Sequence, residues 1–79
     1  MLNNQTNKNM ENLIKVGDFI RGAYKYGCIC GVVAEVKKSI VVIKKCQQHY
    51  NVYTLTDTFC NVTKSRIYII GLNQEESIV

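Results

Sequence analysis

Cys28-Ile29-Cys30-Gly31-Val32-Val33-Ala34-Glu35-Val36-Lys37-Lys38-Ser39-Ile40-Val41-Val42-Ile43-Lys44-Lys45 is the stretch that decides the fold. Two short runs rich in β-branched residues flank a polar break, Lys37-Lys38-Ser39. β-Branched side chains fit a pleated, half-buried surface. A tight polar link between two such runs predicts an antiparallel hairpin. Neither run is long enough for a good helix. Gly31 lies inside the first run, where a glycine marks a bulge or a sharp bend. Ile40-Val41-Val42-Ile43 is apolar on both faces. It reads as the most buried strand, or as one with a face covered by another chain.

The same reading extends outward. Strands are expected at about Asp18–Tyr24, Cys28–Val36, Ile40–Lys45, Tyr50–Thr56 and Arg66–Gly71. Val and Ile, nine of each, outweigh the scarce helix formers Ala and Leu. The class is therefore all-β, with five strands. The expected core is Phe19, Val33, Val36, Ile40, Val42, Val52, Leu55, Ile67 and Ile69. Residues 14–72 form the folded part. Residues 1–13, with five Asn, read as a polar, mobile N-terminal tail. Asn9 offers a cap for a short helical turn over Asn9–Ile14. Residues 73–79 read as a polar C-terminal tail.

Composition narrows the function. The chain has 79 residues and a formal charge of +4. That is one domain, with no room for a separate cofactor domain. Hydrophobic residues make up 47%, too many for a disordered chain. No apolar run approaches the roughly 18–20 residues that span a bilayer. The first residues lack the apolar stretch of a signal peptide. The expectation is a cytoplasmic protein with no membrane partner. No glycine-rich phosphate loop and no obvious carboxylate pair is present, so a non-enzyme without a cofactor is expected.

Five short, strongly bent strands suggest a small barrel. Val16-Gly17-Asp18-Phe19-Ile20-Arg21 resembles the opening of many SH3-like small barrels, in which a Gly-Asp turn launches the first strand. Gly31-Val32-Val33 followed by Glu35-Val36 is similar to their second strand. The stretch Gly27–Lys45 also resembles the first motif of Sm-like RNA-binding barrels. Lys37, Lys38 and Ser39 stand where that family carries its nucleotide-pocket residues, so no family site is implied. The length and the Gly-Asp opening also resemble the type II dihydrofolate reductases. Their Val-Gln-Ile-Tyr motif is replaced here by Val52-Tyr53-Thr54-Leu55, so the activity does not carry over. The resemblance implies a five-stranded SH3-like barrel, and a fold alone does not assign a function.

Four cysteines and one histidine are candidate metal ligands: Cys28, Cys30, Cys46, Cys60 and His49. Zinc favours paired ligands on tight knuckles. Cys28 and Cys30 have strand spacing instead, and only Cys46-Gln47-Gln48-His49 makes a credible half-site. Reduced, mostly buried thiols acting as small hydrophobes are the favoured reading.

The basic surface is the stronger signal. Residues 14–72 carry nine positive and three negative side chains. Arg21, Lys25, Lys37, Lys38, Lys44, Lys45 and Arg66 are interleaved with Tyr24, Tyr26, Tyr50 and Tyr53. Cations meet phosphates and rings stack on bases, so this pattern suits RNA or DNA. Lysines at hairpin tips also guard sheet edges, and tyrosines also fill cores. The same aromatic loops suit a protein partner equally well. The Asn-, Ile- and Lys-rich composition resembles that of phage or mobile-element accessory proteins that bind and inhibit a host protein. Finally, Val41 and Ile43 are expected opposite Ile40 and Val42, so a second apolar face would need cover. That predicts a homo-oligomer.

Overall fold

A computed structural model describes residues 13–79. The expected mobile tail and the helical turn at its end fall almost wholly on residues 1–12, outside the described residues. The rest is all-β. The strands are β1 (Phe19–Tyr24), β2 (Gly27–Val36), β3 (Ile40–His49), β4 (Val52–Thr63), β5 (Ile67–Ile70) and β6 (Ser77–Ile78), with one 3-10 turn, Lys64–Arg66, between β4 and β5. They form one sheet in the order β5-β1-β2-β3-β4-β6. Two expectations are thereby corrected. There are six strands, not five, and the edge strands β5 and β6 do not pair to close a barrel.

The chain enters through a tight turn. Asp18 N–H donates to the Lys15 carbonyl at 3.0 Å, and Lys15 N–H donates to the Asp18 carboxylate at 2.9 Å. Gly17 stands between them at φ +96°, the left-handed position that such a turn requires. Gly17 N–H and the Asp18 carbonyl then pair with Val33, which aligns β1 on β2. The β2–β3 hairpin forms across Lys37-Lys38-Ser39 as expected, with Lys37 N–H bonded to the Ile40 carbonyl at 2.9 Å.

Gly31 is required for a different reason from the one expected. A Cβ at this position would overlap the Lys44 carbonyl oxygen and lie 3.0 Å from Ile43 Cδ1. The glycine permits close approach of β3, while the register shift in β2 falls later, between Val33 and Glu35.

Side chains on successive strand residues point to opposite faces. Phe19 and Ile20 each sit at the heart of a different cluster. The larger cluster is aliphatic: Ile14, Ile20, Ile29, Val33, Val41, Ile43, Val62 and Ile67. The smaller one is Phe19, Cys30, Cys46 and Tyr53. Phe19 on β1 and Tyr53 on β4 have ring centroids 4.7 Å apart. In a flat sheet those strands would stand about 14 Å apart. The sheet is therefore strongly curled at this end.

The expected core is partly reversed. Phe19, Val33 and Ile67 are buried as expected. On β3 the faces are exchanged: Val41 and Ile43 are 0% exposed, while Ile40 and Val42 are only half-buried. Val36, Val52, Leu55 and Ile69 are exposed. The exchange moves the less-covered apolar pair of β3 from Val41 and Ile43, which the chain itself covers, to the half-buried Ile40 and Val42. Residues 73–79 also differ from the expected tail. Ser77 N–H donates to the Asn51 carbonyl and Val79 N–H to the Tyr53 carbonyl, each at 2.9 Å, so β6 lies parallel along the edge of β4. No helix among the described residues is long and apolar enough to cross a membrane.

Candidate functional site

Two tight hairpins shape the site. Tyr24 pairs with Gly27, leaving Lys25 and Tyr26 as the β1–β2 turn. His49 pairs with Val52, leaving Tyr50 and Asn51 as the β3–β4 turn. Lys25 and Tyr50 adopt left-handed φ values of 49° and 56°. Such turns match the twist of the flanking strands but usually recruit Gly or Asn at the left-handed position. The result is two exposed rings at hairpin tips. Tyr26 is fully exposed and Tyr50 is 83% exposed. The Lys25 ammonium lies 5.3 Å from the centroid of the half-buried Tyr24 ring.

Beside the first hairpin is an open cleft of about 210 Å³. Arg21, Tyr24, Cys28, Ile29 and Cys30 line it from the hairpin, and Lys45, Cys46 and Gln48 line it from β3. Arg21 is held in place. Its Nη1 donates to Gln48 Oε1 at 3.2 Å and its Nη2 donates to the Tyr53 hydroxyl. The hydroxyl in turn donates to Glu76 Oε2 at 2.6 Å. Glu76 is itself fixed by the Asn73 N–H, which donates to Oε1 at 3.0 Å. A four-residue network thus runs from the C-terminal segment to the cleft.

The network shifts its members. Burial, with the Glu76 hydrogen bond, pushes the Tyr53 phenol up to about 12, so it is neutral at physiological pH. The Tyr53 hydroxyl and the Asn73 N–H hold the Glu76 carboxyl below its ordinary value. Burial pushes the Cys30 and Cys46 thiols up, and the nearby Arg21 charge only partly opposes this for Cys30. Partial burial works against the Arg21 charge, but Tyr53, Cys30 and Cys28 outweigh it and raise its pKa further.

The residues expected at a binding surface divide into groups. Arg21, Tyr24 and Lys45 meet at the cleft, with Lys25 and Tyr26 at its hairpin tip. Tyr50 stands on the neighbouring tip, where Gln48 Nε2 donates to its carbonyl at 3.1 Å. Lys37 and Lys38 are exposed at the far end of β2. Lys64 joins them there, its N–H bonded to the Ser39 carbonyl at 2.9 Å, and exposed Arg66 follows in the 3-10 turn. Lys44 is apart from both groups and pairs with Asp57 at 3.8 Å. Tyr53 is a correction. Expected as an accessible ring, it is 0% exposed, packed on Phe19, with its hydroxyl engaged twice. It cannot stack on a base; it positions Arg21 instead.

Sequence reasoning missed Gln48 and Glu76. Gln48 becomes legible once a two-residue turn at Tyr50-Asn51 sets the register, placing it opposite Tyr53. Nothing in the sequence pattern marks Glu76. The metal reading finds no arrangement to support it: among the described residues no group of three or more His, Cys, Asp or Glu could hold an ion. The four cysteines are free thiols, and His49 packs edge-on against Tyr50 at 4.8 Å. Compared with protein-family models, curated proteins and solved structures, the chain matches none of them.

Proposed function

We propose that this chain is a non-catalytic, small basic β module that binds single-stranded nucleic acid, RNA or DNA. One observation carries the reading. A fully exposed ring, Tyr26, stands at a hairpin tip beside a cleft whose two cations, Arg21 and Lys45, have no carboxylate within 4 Å among the described residues. Exposed rings supply stacking platforms and unpaired cations supply phosphate contacts. In fold, we place the module with the SH3-like small barrels in an unclosed form. The Gly-Asp turn before β1 and the return of β5 onto β1 support that placement.

Fluorescence anisotropy with short labelled single strands, titrated with salt, tests the function. Binding should weaken with salt at a slope of about −0.7 per neutralised phosphate. Tyr26→Ala should weaken binding with little change in slope, because stacking releases few ions. Absence of binding at low ionic strength would sink the reading. The capture of a host protein would then take its place, with Tyr26 and Tyr50 as anchors.

A further inference from the structure

The cleft itself carries more than a general basic charge. Arg21 has five N–H donors in a fixed fork. Two of its nitrogens already donate to Gln48 and Tyr53, which fixes the plane of the guanidinium and leaves N–H groups that neither acceptor engages, with the exposed Cys28 thiol as a competing neighbour. Lys45 lines the same cleft and brings three more donors. The only ion pair among the described residues is Lys44–Asp57, so neither cleft cation is neutralised by direct contact. Glu76 stands one hydrogen bond further on, beyond the Tyr53 hydroxyl. The Cys30 and Cys46 thiols are held in their neutral form by burial and add no negative charge.

We propose that this cleft binds a phosphate monoester, its dianion seated between Arg21 and Lys45. The proposal deepens the nucleic-acid reading and rests on it for the most natural source of the group, a phosphorylated strand end. Charge decides between phosphate types. A monoester carries about −1.5 to −2 at neutral pH and has three strong acceptor oxygens. An internal phosphodiester carries a single charge. Two unpaired cations match the former. Fork-and-oxyanion hydrogen bonds are also roughly twice as strong as neutral ones, and the Gln48–Arg21–Tyr53 contacts fix the fork before the ligand arrives.

The test follows backbone amide signals of the full chain by NMR while inorganic phosphate, a nucleoside monophosphate, a 5′-phosphorylated oligonucleotide or its 5′-hydroxyl counterpart is added. Inorganic phosphate alone should move the signals of Cys28–Cys30 and Lys45–Gln48. The phosphorylated strand should bind about tenfold or more tightly than the hydroxyl strand. Lys45→Met, at a partly exposed wall, should abolish that preference without unfolding the chain. Arg21→Met should do the same, and Lys45→Met keeps the test valid if loss of Arg21 disturbs Tyr53. A monophosphate that binds as well as the phosphorylated strand identifies a free nucleotide as the source and still supports the site. Phosphate shifts without any oligonucleotide binding would sink the nucleic-acid reading and leave the cleft assignment standing. Equal affinity for both strands, with no shift from inorganic phosphate, would overturn the proposal.

Discussion

The two faces of this sheet are built on opposite logic. One buries eight side chains, seven of them on strands, and all aliphatic. Its members need only fill space, and apolar cores tolerate volume-conserving exchange. The other buries an aromatic pair and two thiols, and it ends in a polar network of Arg21, Gln48, Tyr53 and Glu76. The network is part-buried at the Tyr53 hydroxyl and exposed at Gln48, and it holds Arg21 only while each member keeps its partner. The first face therefore carries stability that can be repacked. The second carries geometry, and its disturbance reaches the cleft.

The largest effects come from truncating either core. Tyr53→Ala should cost about 3–5 kcal/mol and Ile43→Ala about 2–5 kcal/mol in urea unfolding. Size alone does not separate the two faces, but gentler changes do. Ile43→Val should cost about 1 kcal/mol and leave ligand binding untouched. Tyr53→Phe should cost a similar amount, about 1 kcal/mol, yet weaken phosphate and oligonucleotide binding because Arg21 loses its anchor. Equal binding by both conservative variants would erase the distinction between the faces.

Gly31→Ala comes next. It forces a methyl group against the Lys44 carbonyl and Ile43 on the neighbouring strand β3. Overpacking of this kind costs about 1–3 kcal/mol. The change bears on both faces, because Gly31 separates Cys30 from Val32 and Val33. A destabilisation below about 0.5 kcal/mol, the usual scatter of surface changes, would show that the strands can move apart at no penalty.

These positions also show what is legible in the sequence. The β2–β3 hairpin is readable because both runs are β-branched and the break between them is polar. The length of β4 is not. Its alternation is interrupted at Thr56–Thr58, where Thr56 Oγ1 donates to the Lys45 carbonyl and accepts from Thr58 N–H. The strand itself is continuous, but its pairing with β3 passes from Leu55 to Phe59, so one element looks like a short strand and a loop. Tyr50 reads as the first residue of a strand because a left-handed tyrosine gives no glycine signal at a turn. The faces of β3 are exchanged because Ile40-Val41-Val42-Ile43 is apolar throughout and gives no alternation to fix them. The basic residues of the cleft are visible as charges. What fixes Arg21 is not, since its supports come from β3, β4 and a C-terminal segment that reads as a polar tail.

The polar network predicts a pH signature that the aliphatic face lacks. Tyr53 is raised to about 12 in the fold, against about 10 in an unfolded chain. A raised phenol favours the protonated form, so its stabilisation is complete below about pH 10 and is lost as pH climbs toward 12. Glu76 has the opposite sign. Its lowered pKa contributes stability above the unfolded value of about 4.3, lost as pH falls through the folded value. Urea midpoints measured across pH should therefore sag at both ends. Tyr53→Phe should remove the alkaline component and the absorbance change that titrates near 12. Glu76→Gln should reduce the acid component. An unchanged acid limb in Glu76→Gln would mean that other carboxyl groups govern it.

The smallest effect on stability, and the finest division of the surface, concerns the two basic ends of β2. Lys37 and Lys38 are exposed turn residues. Replacing both by Ala should change stability by less than about 0.5 kcal/mol. The ten residues of β2 could span about 30 Å if straight, and the bend in the sheet makes the true separation of the two ends shorter. A very short oligonucleotide that fills the Arg21 cleft cannot reach both ends. Its affinity and salt slope should be the same for the chain and for the double Lys variant. A longer strand can cross to Lys37, Lys38 and Lys64, and for it the double variant should flatten the slope by about 0.7 for each phosphate no longer neutralised. The length at which the two slopes separate measures the path of the strand over the sheet. If the lysines alter binding of even the shortest oligonucleotide, the strand begins at their end, and the cleft is not where recognition starts.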